Sequence, residues 1–468
     1  MRLAFVLLGL LLLSSVAAAE EIKIGVLVDL SGPLTTFGTD IKNTLDIAKD
    51  EINNYFKEKG LDYTVEFYVE DTKVDPNIAL QKVQSLYAKG INLIVGPMGS
   101  GEVANVKDFV TSNKIIIISP SSTALPTIIG FATPEDKKYI FRFVGTDDLQ
   151  TDAIASELKD LGVKGVVIIY IGNAWGRGLY ETIKPKLEAA GIEIAQPIEY
   201  PDSVPADFSP YISSMESELN KLIEKYGREK VAVVAFTYEE VYTLLAQTPE
   251  DSPLLNVVWI GCDGNAKSGK ISDALEKVKR VGMYATLFES KGPAYDKLAE
   301  EYAKRGFGEA PYQYAMNAYD AAWVLALAYV EVVKEKGSYD PDAMVEKIKE
   351  VAVKYSNGEY GVQPVSGRIE LNEWNDRASG DYAIYYVNEE GKWDIAGIWK
   401  FETKSIEWKY KPKWPEVKAT PTPTPEKKET PVEKKETPKE EKKEEKKTPG
   451  FGILIAAAAA AYALRRRA

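Results

Sequence analysis

The chain has 468 residues, and its pattern predicts an α/β fold of two doubly wound lobes, joined by a multi-crossing hinge, with a ligand cleft between them. Short, fully apolar runs typical of buried parallel strands alternate with segments whose apolar residues recur at helical spacing. This alternation starts a second time near residue 165. A later stretch alternates apolar and polar residues, as antiparallel strands do. The length also exceeds one ordinary domain, which favours two lobes with additional terminal segments.

The first lobe is predicted over residues 20–145, with a return over 289–358. A strand is expected at 22–29, followed by a helix at about 39–57 whose apolar residues lie three and four positions apart. A second strand is expected at 63–70, and Asp75-Pro76 then marks a helix start, because Asp caps helices and Pro suits their first position. Strands at 91–95 and 115–118 complete the sheet. A long helix at 312–334 is predicted to be buried, because it is rich in Ala, Leu and Tyr.

The second lobe is predicted over residues 146–288, with a return over 359–416. Strands are expected at 165–170, 231–236, 257–262 and near 283–288, with a helix beginning at Trp175. The alternating stretch at 366–401 predicts antiparallel strands. Ligands of open parallel sheets bind outside the carboxyl ends of the strands, so we expect both lobes to present these ends to the cleft.

Two strand-end loops of the first lobe share one design. One is Gly96-Pro97-Met98-Gly99-Ser100-Gly101 and the other is Ser119-Pro120-Ser121-Ser122-Thr123, each ahead of a predicted helix. Such loops gather backbone N–H groups and hydroxyls, which suit a carboxylate or phosphate. Helix capping explains either loop alone, since Ser and Thr are preferred there. The pair, with Asp29-Leu30-Ser31-Gly32-Pro33-Leu34 after the first strand, favours an anion-holding crevice.

The composition excludes several kinds of chemistry. The chain has no histidine and a single cysteine, Cys262. His-based acid–base catalysis, Ser-His and Cys-His nucleophile pairs and most zinc sites are therefore removed, and no intrachain disulfide can form. Cys262 is expected to be a buried free thiol. The formal charge of −12 disfavours nucleic acid as a partner. No cofactor or metal is expected, and the phosphate-binding pattern Gly-x-x-x-x-Gly-Lys-Ser/Thr is absent from the sequence.

The sequences of the N-terminal and C-terminal segments predict the location of the protein in the cell. Arg2, an apolar run and then small residues predict a secretory signal peptide over residues 1–19. Residues 417–448 are Thr/Pro and Lys/Glu repeats, which predict a stalk. Residues 449–468, with Pro449-Gly450-Phe451, a short apolar segment and a basic end, resemble the archaeal Pro-Gly-Phe sorting signal. That resemblance implies cleavage and transfer to a lipid; a short C-terminal membrane anchor is the alternative. Both imply tethering on the extracellular face of the cell membrane.

A series of short motifs runs in order through the part between these ends: Ile24-Gly25-Val26-Leu27, Leu30-Ser31-Gly32-Pro33, Glu70-Asp71-Thr72, Gly96-Pro97 with Ser100, Ile118-Ser119-Pro120, Phe141-Arg142 with Asp147 and Gln150, Trp175-Gly176-Arg177-Gly178-Leu179, Asp207-Phe208-Ser209, and Gly261 with Asp263-Gly264. Through them, residues 22–407 resemble the branched-chain amino-acid (Leu/Ile/Val) binding proteins of ABC importers, which have the type I periplasmic-binding-protein fold. The resemblance implies that Ser100, the backbone at Ser121 and the Thr123 hydroxyl hold a ligand α-carboxylate. Ser122 lies in the same loop.

The resemblance also implies which residues face the rest of the ligand. Asp263 would hold the α-ammonium group, and Asp147 would assist from the hinge side. Phe37, Trp175 and Tyr238 fall where the family has aromatic residues, although many members have Tyr in place of Trp175. Other interpretations stay open: Asp263 as an Asp-Gly turn residue, Asp147 as a helix N-cap, and Trp175 as packing at the cleft edge.

An amino acid presents a carboxylate and an ammonium group close together. Its site therefore needs hydroxyl and N–H donors on one side, a carboxylate on the other, and an apolar or aromatic wall. Together with this chemistry, the resemblance implies a non-enzymatic extracellular solute-binding protein that closes on an amino acid, branched-chain or otherwise apolar, and delivers it to ABC permease subunits. The alternatives are the same fold binding an amide, urea or an aromatic acid, or acting as a ligand sensor. A hydrolase is a further alternative, but nothing in the sequence arranges carboxylates around a nucleophile.

Overall fold

The computed structural model describes residues 19–416, and it confirms the predicted two-lobed α/β fold. The strands are β1 (Glu20–Val28), β2 (Tyr63–Asp71), β3 (Leu93–Val95), β4 (Ile116–Ser119), β5 (Ile140–Arg142), β6 (Gly165–Ile171), β7 (Glu193–Ile194), β8 (Ile198–Tyr200), β9 (Val231–Phe236), β10 (Val258–Gly261), β11 (Tyr284–Glu289), β12 (Asp381–Val387), β13 (Trp393–Lys400) and β14 (Ser405–Trp408). The helices are α1 (Thr35–Glu58), α2 (Pro76–Ala88), α3 (Ser100–Ser112), α4 (Asp147–Asp160), α5 (Ala174–Ala189), α6 (Ser209–Tyr226), α7 (Val241–Gln247), α8 (Leu275–Val281), α9 (Tyr295–Lys304), α10 (Gln313–Lys336) and α11 (Pro341–Ser356).

The sheet of lobe 1 has the order β2-β1-β3-β4-β5, and all its strands are parallel. Every side chain of β3 and β4 is buried, as expected for strands covered by helices on both faces. Helix α1 packs on α10, and α2 packs on α3. The strand order reverses between β1 and β3, so a crevice opens between the loops that follow these two strands.

The sheet of lobe 2 has the order β14-β13-β12-β11-β10-β9-β6-β7, and β8 also pairs with β6. Strands β6, β9, β10 and β11 are parallel to one another, whereas β12, β13 and β14 are antiparallel to their neighbours. Here the order reverses between β6 and β9. Lobe 2 therefore repeats the arrangement of lobe 1, with a crevice between the loops after β6 and β9.

Local sequence signals account for several element boundaries. Asp75 caps α2 as predicted: its carboxylate accepts the N–H groups of Asn77 and Ile78 at 2.8 and 3.0 Å, and Pro76 opens the helix. The helix predicted directly after residues 119–123 is wrong. The chain there runs through turns and a short 3₁₀ segment (Pro134–Lys137) to β5, and the next α-helix is α4.

The antiparallel strands predicted for residues 366–401 begin only at Asp381. The preceding segment is bound to lobe 1. The carboxylate of Asp320 in α10 accepts the N–H groups of Val365 and Ser366 at 3.0 and 2.8 Å. These long-range hydrogen bonds compete with strand pairing, and the alternating pattern of the residues does not reveal them.

The chain passes between the two sheets three times: after β5, after β11 and before β12. The first and third passages lie side by side, because Arg142 N donates to the Asn375 carbonyl at 2.9 Å and Arg377 N donates to the Arg142 carbonyl at 3.0 Å. The second is tied to α10, since Ser290 N donates to Gln313 Oε1 at 2.9 Å. Three adjacent connections favour opening and closing of the lobes about a hinge.

Within residues 19–416, none of the helices combines the length and the apolar character needed to span a bilayer. The predicted stalk and C-terminal signal, and nearly all of the signal peptide, lie outside the described residues.

Cys262 is buried and free, and burial raises the pKa of its thiol well above the ordinary value. A thiol held in its neutral form is unreactive, as expected from the sequence.

Candidate ligand-binding cleft

The loops at the two points of strand reversal face each other across one narrow cavity. From lobe 1 it is lined by Phe37, in α1 after β1, and by Ser100, the first residue of α3 after β3. From lobe 2 it is lined by Trp175, in α5 after β6, and by Tyr238, after β9. Asp263 follows β10 and completes this wall. The repeated topology thus brings matching strand ends of both lobes to one site.

Hydroxyl groups of two loops meet on the lobe 1 side. Ser100 Oγ lies 3.1 Å from Ser122 Oγ and accepts the Ala124 N–H at 3.1 Å. Ser121 Oγ donates to the Met98 carbonyl at 3.0 Å. The loop after β3 and the loop after β4 are therefore joined into one polar surface, and its hydroxyls are buried.

A fully buried ionic cluster lies behind this surface. The Arg142 guanidinium donates to both carboxylate oxygens of Asp376 at 2.6 Å, and Lys137 Nζ donates to the same carboxylate at 2.7 Å. Arg142 Nη1 also donates to the carbonyls of Ser122 and Ala124 at 3.2 and 2.5 Å. Burial by itself would raise the pKa of Asp376, but the two cations outweigh it and hold this pKa below its ordinary value. The cluster fixes the hydroxyl loop from behind.

Two carboxyl groups come from lobe 2: Asp147 begins α4 beside the hydroxyl loop, and Asp263 follows β10. Asp147 and Asp263 are buried. Burial raises the pKa of Asp147 well above its ordinary value, and the negative charge of Asp263 adds to the effect. Burial also raises the pKa of Asp263, against the hydrogen bond from the Tyr314 hydroxyl, which lowers it. Within the described residues, neither oxygen of Asp147 accepts a hydrogen bond of good geometry, nor does Oδ1 of Asp263, although the Thr123 hydroxyl and the Gln150 side chain lie near enough to these two carboxyl groups to lower their pKa values against burial. A cationic ligand group placed here would favour the ionised carboxylates.

Aromatic rings close the remaining walls. Trp175 stacks on Tyr238 with ring centroids 4.6 Å apart and planes 14° from parallel, and Phe37 meets Tyr314 edge-on at 5.7 Å. Trp175 Nε1 donates to Thr123 Oγ1 across the cleft at 3.1 Å. The cavity volume is only about 20 Å³, which is room for roughly one water molecule. A larger ligand therefore requires the lobes to move apart.

The structure brings the predicted site residues together. The cavity is lined by six of them: Phe37, Ser100, Ser121, Trp175, Tyr238 and Asp263. The other three lie directly behind: Ser122 contacts Ser100, Thr123 contacts Trp175, and Asp147 N donates to the Thr123 carbonyl at 2.8 Å. Their roles in binding stay predictions.

Two of the alternative interpretations can be compared with the structure. The N-cap of α4 is Thr146 and Asp147 is the first residue of the helix, so the N-cap interpretation of Asp147 is wrong. Asp263 follows β10 at a turn, but its carboxylate is buried and accepts the Tyr314 hydroxyl. The turn alone does not account for a carboxylate in this position.

Tyr314 is a further residue of the cleft that no motif in the sequence indicates. This residue lies in the first turn of α10, which comes from lobe 1, and its hydroxyl donates to Asp263 of lobe 2. The composition of the helix correctly predicted burial, but it does not distinguish a core tyrosine from one at a cleft. Gly264, which follows Asp263 in the Asp-Gly motif, also lines the cavity. A Cβ atom at this position would come within 2.6 Å of both the Trp175 ring and the Thr237 carbonyl, so the wall requires glycine.

Known proteins are similar to this chain in both sequence and fold. The sequence profile described as "Periplasmic binding protein" matches residues 21–392. The chain belongs to this family. It is 52% identical over 390 residues to an uncharacterized protein of Methanocaldococcus jannaschii, covering 83% of this chain and 92% of that protein. It is 27% identical over 386 residues to a Leu/Ile/Val-binding protein of Rhizobium johnstonii, covering 81% and 94%.

The fold of this family member also resembles solved structures. One is the branched-chain amino acid transporter substrate binding protein of Streptococcus pneumoniae in complex with isoleucine. The TM-score is 0.64 at 20% identity, and the match covers 83% of this chain and 100% of that chain. At this identity the likeness shows the fold alone.

Proposed function

We propose that this protein is the extracellular solute-binding component of an ABC importer, and that it captures an amino acid by closing its lobes. It acts as a binding protein without enzymatic activity. The expected ligand is a branched-chain amino acid or another apolar one, because aromatic rings wall the cavity on several sides. The closed form delivers the ligand to the membrane subunits of the permease.

The two buried carboxyl groups carry this proposal. Asp147 and Asp263 lie close enough to repel each other and leave oxygens that accept no hydrogen bond of good geometry in the described part of the chain. Burying uncompensated charge is costly, so such a pair suits a cationic ligand group. The Ser100 hydroxyl lines the cavity and the Thr123 hydroxyl lies directly behind it, and hydroxyl donors suit an anion. An α-amino acid carries both charges at short separation.

Binding must begin from a more open arrangement, because the cavity volume of about 20 Å³ is far below the several hundred Å³ of a typical ligand site. The hinge supplies that opening. A ligand that contacts both lobes then stabilises the closed form, since it gains contacts there that the open form lacks.

A thermal-shift screen of the purified protein tests the proposal. The screen compares the amino acids with urea, short amides and benzoates, and isothermal titration calorimetry then measures the affinity of each hit. Amino acids should raise the melting temperature most, because a ligand that binds only the folded state stabilises it. Stabilisation by urea, amides or benzoates without any amino acid would contradict the proposal and favour the alternative ligand classes.

The double variant Ser100→Ala with Thr123→Ala is expected to weaken binding of every carboxylate ligand by about two to four decades, because each of the two lost hydrogen bonds to a charged group is worth roughly 1.5–3 kcal/mol and a decade corresponds to about 1.4 kcal/mol. Urea and neutral amides should be affected much less. Calorimetric titration of both ligand classes measures the difference. The matched control is Ser112→Ala with Thr64→Ala, two exposed positions of the same lobe. Equal losses for charged and neutral ligands would mean that these hydroxyls serve the loops and not an anion.

We further propose that the protein is tethered by its C-terminal tail, on the basis of the sequence pattern of residues 417–468. Mass spectrometry of protein isolated from its native membrane should then find no peptide from residues 453–468, and an N-terminus at or near Glu20. Recovery of the intact Arg465-Arg466-Arg467 end would instead identify a retained anchor. Recovery of the uncut chain from the medium would contradict both forms of tethering.

A further inference from the structure

One aromatic ring lies where the three passages between the lobes come together. Phe288, in β11 just before the second passage, is only 1% exposed. The first passage reaches the ring at Gly145, where a Cβ atom would lie 3.4 Å from Phe288 Cδ2. The third passage reaches it twice. The Arg377 guanidinium carbon lies 5.1 Å from the ring centroid, and a Cβ atom at Gly380 would come within 2.1 Å of the ring.

Space, rather than backbone conformation, requires glycine at two of these positions. Neither Gly145 nor Gly380 has a positive φ, so the backbone itself would accept any L-residue. Carbon atoms pack at about 3.5–4.0 Å, and the 2.1 Å approach at Gly380 is far shorter. The ring has little room to retreat, because it is buried and the Tyr382 ring packs against it edge-on at 5.7 Å. A side chain at residue 380 would therefore act as a wedge between the second and third passages.

Arg377 ties the third passage to the first. Its backbone N–H donates to the Arg142 carbonyl at 3.0 Å, and its Nη1 donates to the Phe143 carbonyl at 3.4 Å. Nη2 donates to the Ser366 carbonyl at 2.6 Å. Burial lowers the pKa of Arg377 to about 10, so the guanidinium remains a cation at neutral pH and is attracted to the Phe288 ring. The three passages are thus held together around one side chain.

We propose that Phe288 is the pivot about which the two lobes turn, and that the absence of side chains at Gly145 and Gly380 sets how closely the lobes can approach. Protein interiors are close-packed and transmit strain, so one added methyl group beside a pivot shifts the balance between the open and closed arrangements. The inference goes beyond the proposed function, because it concerns the hinge and involves no ligand. Its test therefore succeeds or fails independently of what the cleft binds.

A disulfide bond across the cleft measures how often the lobes close. A Cβ atom at Gly178, in α5 of lobe 2, would lie 3.8 Å from the Cβ atom of Ile128, and disulfides have a mean Cβ separation of about 3.8 Å. The Ile128 loop belongs to lobe 1, since Lys107 Nζ of α3 donates to the Ile129 carbonyl at 3.2 Å. A parent protein with Gly178→Cys and Ile128→Cys should form this bond only when the lobes are closed. Cys262 is buried and does not compete.

The rate of disulfide formation under a mild oxidant, followed by non-reducing gel electrophoresis, reports the closed population of each variant. In the parent protein, Gly380→Ala should slow the reaction about five- to hundredfold, the usual effect of overpacking an interior. Adding Phe288→Leu, which removes ring atoms that the new methyl group meets, should restore most of the rate. Gly269→Ala is the matched control. This glycine of lobe 2 is exposed, and a Cβ atom there would meet nothing within 4 Å, so the rate should equal that of the parent.

Circular dichroism first establishes that each variant is folded. If Gly380→Ala does not fold, Gly145→Ala takes its place, because its Cβ atom approaches the ring less closely, and it should slow the reaction by a smaller factor. A folded glycine variant that cross-links as fast as the parent would overturn the inference. A slowed rate that Phe288→Leu does not restore in Gly380→Ala would also overturn it, since the wedge would then act elsewhere. A parent that never cross-links would show that the lobes do not meet about this hinge, and the pivot would have to be abandoned.

Discussion

Replacing Asp263 with alanine is expected to weaken binding of an amino acid by about two to three decades. Without the Asp263 carboxylate, the buried α-ammonium group of the ligand has no opposite charge beside it, which costs roughly 2–5 kcal/mol. Asp263 is 4% exposed and accepts the Tyr314 hydroxyl across the cleft, so water cannot easily replace the lost carboxylate. Isothermal titration calorimetry of the variant and the wild type measures the loss.

The control for this prediction is Asp251→Ala, an exposed aspartate of the same lobe, which should bind as the wild type does. A ligand that carries a carboxylate but no ammonium group should bind Asp263→Ala no worse than the wild type. An Asp263→Ala protein with undiminished affinity for the amino acid would remove the ammonium assignment.

Asp263→Asn is expected to separate binding from stability. The pKa of Asp263 is raised by burial in the folded protein, so the folded state holds its proton more tightly than the unfolded state does. The stabilisation from the protonated form is present at low pH and is lost as the pH rises through the raised pKa. At neutral pH the asparagine variant should therefore melt no lower than the wild type without ligand, although it binds the amino acid poorly. A clear fall in its melting temperature would indicate that the ionised carboxylate stabilises the fold.

Asp376→Asn is expected to lower the free energy of unfolding by about 3–5 kcal/mol. Asp376 is the single carboxylate that Arg142 and Lys137 share, and all three side chains are fully buried. Removing it leaves two cations facing each other in a buried place, which is far more costly than losing an exposed pair. The pKa of Asp376 is held below its ordinary value, so in the wild type this stabilisation is present above pH 3.8 and is lost as the pH falls through the lower folded value.

Urea-induced unfolding measures this effect, and Asp342→Asn provides the matched control. Asp342 also has several partners, accepting Lys114 Nζ and the Tyr139 hydroxyl at 2.6 Å each, but its side chain is 44% exposed. Its loss should cost no more than ~1 kcal/mol. Similar losses for both variants would show that burial of the Arg142 cluster does not matter. Asp376→Asn should in addition weaken ligand binding, because Arg142 then no longer holds the hydroxyl loop in place.

Local patterns were sufficient to predict much of the fold. The apolar runs that form β3, β4, β6 and β9 are short and uninterrupted, and strands buried on both faces require this pattern. Asp75-Pro76 marked the start of α2 because capping and the geometry of proline act within one turn. The pattern was misleading where distant residues decide the conformation, as in residues 366–380, which Asp320 and Arg142 hold on lobe 1.

The order of residues along the chain is enough to predict which chemical groups follow the strand ends: hydroxyls in residues 119–123, an acid at Asp263 and aromatic residues at Phe37, Trp175 and Tyr238. The positions of these groups are predictable because strands and helices alternate regularly, so that position along the chain indicates position in the sheet. Which of these groups come into contact depends on the packing of the whole chain. Tyr314 and Asp263 are 51 residues apart, Trp175 and Thr123 are 52 apart, and Arg142 and Asp376 are 234 apart. Such contacts depend on how whole helices and lobes pack, because a hydrogen bond requires its two atoms within about 3 Å, and no pattern local to either residue sets that distance.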